Sequence, residues 1–462
     1  MKQKFGLSRK SMRLAVVIAG LLALSVVGVA LAAILQIDSF NSGTLNLNVN
    51  SITPTNQSAI DTAASALGGE REGDLTWLSG AGTASLRVND FSTQRLNFNQ
   101  DNGVSARGIV RWDGVDLQPT VNDQGLTVDL LDGTNDGLHI EVINDDIPIP
   151  LIIRVYSSAG NYSTYTLNLP GGILSPGVHV DFFIPFGPGN GWVATGTGAN
   201  FSAVTSIEVE FDGTTSAGAD VSIDLFEADA DREYGDLPTS GDETVGAADY
   251  ANSVLQANHM PQGLRLGRSV DVEETTQPDI AAGSTTSGDD NSLSGSNPFD
   301  DEEGVIVPAT PKWSVATGGR IRYTVSGCTD DINGCYLNGW IDFNNDGDFA
   351  DAGEQILVDE NVFTSSNVTY NFPIPAGTSF SNTFYARFRI CPSAGQCNNV
   401  TAQNVVNGEI EDYRWNFGPL AVTLNNLEAT ADAQNNTAAL VLAATVVVAL
   451  GLAGVMLRRR TA

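Results

Sequence analysis

The feature that most constrains the fold of this chain is a long succession of short segments in which apolar and polar residues alternate. Leu45–Ile52, for example, reads LNLNVNSI. Gly, Asn and Asp turns separate the segments, and no amphipathic helix of useful length interrupts them. Side chains alternate between the two faces of a strand, so the pattern predicts an all-β chain with a sandwich or jelly-roll domain over residues 36–230. The other predicted strands of this domain are Ala84–Val88, Ser105–Trp112, Leu126–Leu131, Leu138–Ile143, Leu151–Tyr156, Ser163–Leu169, Val178–Ile184, Ser206–Phe211 and Val221–Phe226.

Long uncharged segments stand near both ends of the chain. Residues 1–33 combine five basic residues, an apolar run from Leu14 and an A-x-A pattern at Ala30–Ala32, which predicts a signal peptide, with an uncleaved anchor as the alternative. Residues 437–457 carry no charge and precede three arginines, which predicts a transmembrane helix and a cytoplasmic tail over 458–462. The membrane is thus a predicted partner, with the β domains at the cell surface, outside the cell.

The charge balance excludes one class of partner. The chain holds 23 Lys and Arg residues against 54 Asp and Glu residues, for a net charge of −31. Such a surface repels the phosphate backbone, so we expect no binding to DNA or RNA.

An acidic stretch, WIDFNNDGDFADAGE from Trp340 to Glu354, has the spacing of a cation-binding loop. Oxygen-bearing side chains at alternate positions can fold around one hard cation, and Gly347 permits the sharp turn that this requires. The sequence therefore predicts a calcium site with the ligands Asp342, Asn344, Asp346 and Asp348, closed by Asp351 and Glu354.

The same stretch departs from an EF-hand in two ways. Position twelve is Gly353, with Glu354 one residue later, and strand patterns at Leu337–Phe343 and Gln355–Val358 replace the flanking helices. Position seven of such loops ligates through its main chain, so Asp348 is a candidate for that role. The alternative is an acidic hairpin turn without a metal.

Four cysteines form two close pairs in sequence. The spacing favours disulfides between Cys328 and Cys335 and between Cys391 and Cys397, each closing a short loop. A zinc site is the alternative, but the spacings exceed C-x2-C and no histidine is near. Disulfides fit an exported protein.

A second signature lies downstream, where Gly408–Trp415 reads GEIEDYRW. Together with the acidic stretch, FDDEEGV at Phe299–Val305 and the run Leu264–Asp290, it resembles the GEVED domain of bacterial cell-surface proteins, with Ile410 where the name has Val. The resemblance covers residues 246–417 and implies a β-sandwich outside the cell, without implying a reaction. Residues 231–245 are then a linker and 418–436 a spacer. Further candidate ligands are Asp300, Asp301, Glu411 and Asp412.

No catalytic motif accompanies these features. His139 and His179 alternate with apolar residues in predicted strands, which predicts exposed positions rather than metal ligands, and His259 falls in a loop. Trp340 and Trp415 flank signature strands and are predicted core residues. We therefore predict a non-enzymatic, membrane-anchored structural or adhesive surface protein stabilised by calcium. The alternatives are a protein that binds glycans or another surface protein, with aromatics such as Trp192, and a surface hydrolase.

Overall fold

The computed structural model describes residues 34–417, apart from 117–124, 134, 175–177, 236, 239–249, 271, 273–303, 331 and 381–382. The predicted signal peptide, spacer, transmembrane helix and tail lie outside the described residues. Within the described residues, no helix has the length and apolar character needed to cross a membrane.

The N-terminal region is a sandwich of two seven-stranded sheets. The first sheet has the order β11-β8-β14-β6-β5-β2, with β1 also paired to β14, and the second has the order β12-β10-β9-β13-β7-β4-β3. The strands are β1 (Leu35–Asp38), β2 (Leu45–Asn50), β3 (Gln57–Thr62), β4 (Glu70–Ser79), β5 (Thr83–Val88), β6 (Leu96–Gln100), β7 (Ser105–Trp112), β8 (Gly137–Asp145), β9 (Ile149–Ser158), β10 (Asn161–Leu169), β11 (Val180–Pro185), β12 (Val193–Thr195), β13 (Ser206–Asp212) and β14 (Asp220–Asp229).

One continuous apolar core lies between these sheets. Phe98 of the first sheet stacks on Phe211 of the second, with ring centroids 5.1 Å apart. The sheets approach so closely at Gly73 that an added Cβ would lie 2.4 Å from a Leu45 methyl group, which explains the glycine. Alternating strands form here because each must place one row of side chains in this core.

One predicted strand of the sandwich is wrong. Leu126–Leu131 forms only an isolated bridge, between Val128 and Val204. Leu126 and Leu130 are nevertheless buried. The alternating pattern at this position therefore reflects the anchoring of a loop in the core.

The C-terminal region consists of smaller sheets. The antiparallel sheet β21-β20-β23-β25 packs through one face against the sheet in which β19 pairs with β17, β18 and β22, while β15, β16 and β24 form a third sheet. The elements are β15 (Glu233–Tyr234), the one-turn helix α1 (Asn252–Leu255), β16 (Asn258–Met260), β17 (Arg265–Leu266), β18 (Val305–Ile306), β19 (Gly319–Ser326), β20 (Cys335–Asp342), β21 (Gln355–Val362), β22 (Ser365–Phe372), β23 (Thr383–Cys391), β24 (Val405–Val406) and β25 (Glu409–Asn416).

Backbone hydrogen bonds join the two regions. Strand β11 is an edge strand of the first sheet. The N–H of its Phe183 donates to Pro261 O at 2.7 Å, and the N–H of its Asp181 donates to Val270 O at 3.0 Å. The predicted linker includes β15, which pairs with β16. The division at residues 230 and 246 remains a prediction, but the segment from Pro261 to Val270 contacts both regions.

Candidate functional site

The acidic loop connects β20 to β21 and begins at a fully buried carboxylate. Asp342 Oδ1 accepts hydrogen bonds from the N–H groups of Asn345, at 2.5 Å, and Asp346, at 3.3 Å. Its Oδ2 accepts from Gly347 N at 3.1 Å and from the Tyr250 hydroxyl at 2.9 Å. Gly347 has a φ of 90°, a conformation that favours glycine. The first ligand position of the predicted site is thereby held rigidly.

Glu354 turns back onto the start of the loop. Its Oε1 accepts from Phe343 N at 3.1 Å and its Oε2 from Asp351 N at 3.2 Å, and its side chain is buried. Burial, followed by the nearby Asp342 carboxylate, raises the pKa of Glu354 to about 7. Burial also raises the pKa of Asp342. Burial disfavours the ionised form of both acids, so a cation bound beside them would stabilise their charged forms.

The remaining predicted ligands lie at the exposed side of the loop. Asn344 Nδ2 donates to Asp346 Oδ2 at 2.9 Å and to Asp351 Oδ2 at 2.6 Å. Asp348 Oδ1 accepts from Ala350 N at 2.8 Å, so its side chain is engaged within its own turn. Hydrogen bonds link several of the predicted residues, but the carboxylates point at backbone N–H groups and at the Asn344 amide. The acids of this loop are not among the groups of the described residues whose possible ligand atoms lie within 4.8 Å of one another.

The signature acids have other partners. Asp412 forms a bidentate, fully buried ion pair with Arg387, at 2.8 and 2.6 Å. Glu411 Oε1 accepts from Gly304 N at 2.7 Å, and Glu409 accepts from Leu266 N. These three acids of β25 therefore bind groups on β17, on β23 and at Gly304. Asp300 and Asp301 lie outside the described residues.

Both predicted disulfides are confirmed. Cys328 is bonded to Cys335 and Cys391 to Cys397. The first links the end of β19 to the start of β20, and the second closes the turn that follows β23.

The tryptophans lie in or beside the cores. Trp112, Trp313 and Trp340 are buried, and Trp77, Trp192 and Trp415 are half-buried. Trp192 packs against Tyr165 and Phe201, and its indole N–H donates to Pro185 O at 2.9 Å. The burial predicted for Trp340 is thus found, and that for Trp415 is partial.

The expectation for His139 and His179 is wrong, because both side chains are buried, each with 6% of its surface exposed. His139 lies on the outer face of the first sheet, whose other face forms the core, and three carboxylates surround its ring. Its Nδ1 lies 3.2 Å from both Glu227 Oε1 and Asp229 Oδ2, and its Nε2 lies 3.2 Å from Asp181 Oδ1. Burial alone would lower the pKa of His139, but these carboxylates raise it well above its usual range.

A second acidic group, Glu70, Glu72 and Asp116, lies near the end of β7. Burial, and then the Asp113 and Asp116 carboxylates, raise the pKa of Glu72 to about 8. Sequence reasoning missed both groups. In the sequence, these polar residues alternate with core residues along their strands. That pattern points to a shared site only once the order of the strands in the sheet is known.

Comparison with known proteins identifies part of the chain. Residues 336–416 match the model of the GEVED domain. No curated protein sequence shows significant similarity to the chain.

Several solved structures resemble the chain weakly. The family 11 carbohydrate-binding module of the cellulosomal cellulase Lic26A-Cel5E of Clostridium thermocellum is 8% identical over 42% of this chain and 94% of its own, with a TM-score of 0.21. The agarase AgWH50C is 10% identical over 34% of this chain and 22% of its own, with a TM-score of 0.22. At scores and identities this low, neither the fold nor the ligand of those proteins transfers to this chain.

Proposed function

We propose that this chain, with its GEVED domain, is a calcium-stabilised structural or adhesive protein of the cell surface. The export signal, the membrane anchor and the non-catalytic role are parts of the same proposal. The main support for the proposal is that two buried carboxylates, Asp342 and Glu354, lie at the base of a loop whose oxygen-bearing residues have the spacing of a calcium site.

The chemistry of the loop favours a hard divalent cation. Each of the six side chains can bind a metal through oxygen, the ligand atom that calcium prefers. The ligands would be Asp342, Asn344, Asp346, Asp351 and Glu354, together with Asp348. The amide of Asn344 would turn its oxygen toward the ion and give up its hydrogen bonds to Asp346 and Asp351, whose oxygens would then be free to bind the ion.

Extracellular placement is supported by the disulfides. Both bonds lie within the GEVED-containing region, and disulfides persist in oxidising compartments. The acidic composition suits an environment where calcium is abundant. Calcium would neutralise the clustered carboxylates and hold β20 to β21, so the folded state outside the cell would depend on it.

Glycan binding and hydrolysis remain weaker proposals. Stacking on a sugar ring needs an exposed aromatic face, whereas the six tryptophans of the described residues are buried or half-buried. No observation in the described residues favours a particular substrate. Loss of glycan-array binding in Trp192→Ala would revive the glycan proposal.

Thermal unfolding of the full-length protein in millimolar calcium and in chelator tests the calcium proposal. At about 100 times the dissociation constant a bound ion adds about 2.7 kcal/mol to the free energy of unfolding, which raises the Tm of a domain of this size by about 5–10 °C. Asp342→Asn combined with Asp346→Asn should abolish this rise. The control is Asp129→Asn with Asp132→Asn, which removes the same charge from a turn of the first sandwich. An equal Tm in calcium and chelator would reduce the loop to an acidic turn.

A further inference from the structure

The cluster around His139 has the arrangement of a metal centre that is separate from the acidic loop. We propose that His139, Glu227 and Asp229 bind one divalent transition-metal ion of the zinc class, and that Asp181 positions His139. This inference stands independently of the proposed calcium site, because no residue is shared.

The three donor atoms converge from two neighbouring strands. His139 Nδ1 lies 3.2 Å from Glu227 Oε1 and 3.2 Å from Asp229 Oδ2, and all three atoms lie within 4.8 Å of one another. Tetrahedral zinc with bonds of about 2.0–2.1 Å places its ligand atoms about 3.3 Å apart. An ion can therefore sit between these atoms with small side-chain adjustments.

Asp181 completes the arrangement from the third strand. Its Oδ1 lies 3.2 Å from His139 Nε2, the ring nitrogen that faces away from the other two carboxylates. A carboxylate that accepts the remaining N–H of a metal-bound histidine fixes the tautomer and orients the ring. Asp181 Oδ1 and His139 Nε2 do not have the alignment of a hydrogen bond in this structure, so a small rotation of the ring on metal binding would direct Nε2–H at Asp181. Asp181 would then act as a positioning residue, and the ion would take the place of the proton at Nδ1 that faces Glu227 and Asp229.

The charge of the cluster also calls for a cation. Asp181, Glu227 and Asp229 are buried, and among the ion pairs of the described residues their only basic partner is His139. Arg232 lies nearby but stacks on Phe183, at 4.2 Å, and pairs with Asp136. The three carboxylates with one imidazolium carry a net charge of −2, whereas the same carboxylates with a divalent ion on a neutral imidazole carry −1, which lowers the excess negative charge in a low-dielectric site.

The donor set selects the class of ion. Imidazole nitrogen is a ligand that suits zinc, iron, nickel and copper, whereas calcium and magnesium prefer oxygen alone. One histidine with two carboxylates fits zinc best among the ions that need no redox chemistry. The three protein ligands leave a fourth position, which a water molecule or the second oxygen of one carboxylate would fill.

The site also lies at the junction of the two regions. The side chain of Asp181 accepts a hydrogen bond from Val272 N at 3.1 Å, and its backbone N–H donates to Val270 O. Asp229 Oδ1 accepts from Asp231 N at 3.3 Å, where the chain leaves the first sandwich. A bound ion would therefore hold β8, β11 and β14 together at the point where the second region is attached.

The test is the binding of Zn²⁺ to tag-free, full-length protein after dialysis against chelator, followed by calorimetry. We expect one equivalent to bind. Glu227→Gln with Asp229→Asn should weaken binding at least about 100-fold, and Asp181→Asn should weaken it about 10–100-fold. Asp129→Asn with Asp132→Asn, which changes two exposed acids of a turn in the first sandwich, should leave Zn²⁺ binding unchanged.

Three results would overturn the proposal: no Zn²⁺ bound to wild-type protein, unchanged binding in the ligand variants, or displacement of Zn²⁺ by an equal concentration of Ca²⁺. If the ligand variants fail to fold, the visible spectrum of the Co²⁺-substituted wild-type protein decides the matter. Intense bands of four-coordinate cobalt are expected, and the weak bands of hexahydrated cobalt would exclude the site.

Discussion

The hydroxyl of Tyr250 donates a hydrogen bond to Asp342 Oδ2 at 2.9 Å, across 92 positions of sequence. Tyr250 lies just before α1, and its ring packs on Phe349 within the acidic loop, with centroids 5.2 Å apart. The segment that precedes the GEVED match is therefore part of the support of the loop.

Removal of this hydroxyl should destabilise the protein while its ring contacts persist. Tyr250→Phe deprives a buried carboxylate of one donor, so we expect the free energy of unfolding in chelator to fall by about 1–3 kcal/mol. Urea denaturation measures this change. Tyr162→Phe is the control, since the described residues show no hydrogen bond to the Tyr162 hydroxyl, and it should change stability by less than about 0.5 kcal/mol. Equal effects would contradict a structural role for the Tyr250 hydroxyl.

The pKa of Glu354 predicts a pH dependence that calcium suppresses. Its folded value, about 7, lies above the reference value of 4.5, so the folded state holds a proton that the unfolded state releases. Stability is thus fully present below pH 4.5 and is lost as the pH rises through 7. In chelator, Glu354→Gln should remove this part of the decline.

Urea denaturation between pH 5 and 8 measures the difference between wild type and Glu354→Gln. The difference reports on Glu354 together with its interaction with Asp342, because other acids with raised pKa values, such as Glu72 and Glu141, titrate in both proteins. Glu360→Gln, on strand β21, which directly follows Glu354, is the matched control and should follow the wild-type curve. Parallel curves for Glu354→Gln and wild type would refute the prediction.

The ion pair between Arg387 and Asp412 should be the most sensitive part of the GEVED signature. Asp412→Asn leaves a buried guanidinium without its counter-charge, and we expect a loss of about 3–5 kcal/mol. Asp90→Asn, which breaks the partly exposed pair with Arg87, should cost about 0–1 kcal/mol. Chemical denaturation of both variants compares the two sites, and a loss below about 1 kcal/mol for Asp412→Asn would contradict the expectation.

The disulfide between Cys391 and Cys397 should stabilise the fold by constraining the unfolded chain. It closes a loop with a sequence separation of 6, for which the loop-entropy relation gives about 2–3 kcal/mol. The double variant Cys391→Ser, Cys397→Ser should lose this amount in urea denaturation. Mild reduction should then lower the stability of the variant by less than that of the wild type, because only one disulfide remains to be broken.

The sequence predicted the parts of the structure that depend on local pattern. Strands with one face in the core were found because their side chains alternate, and the disulfides were found because their spacing is short. The metal-binding role of the six loop residues remains a prediction. Strand β4 was harder to find, because Glu70, Arg71 and Glu72 are charged and yet buried.

The cluster around His139 was not predictable from local pattern. It requires that β8, β11 and β14 be neighbours, and Glu227 is 88 positions away from His139 in sequence. Alternation with apolar residues correctly placed His139 on the face opposite the core, but an outer face can also be covered. The error in its predicted exposure arises from tertiary packing.

The hydrogen bonds from Asp181 N to Val270 O and from Phe183 N to Pro261 O limit where the chain can be cut to produce a stable fragment. A fragment ending at residue 230 would leave the backbone of β11 as an open sheet edge, free to pair with another copy. Such a fragment is expected to aggregate, and it would also lack Val270, which belongs to the core of the first sandwich. The smallest soluble piece that contains the first sandwich therefore extends through Val272, well into the sequence of the second region.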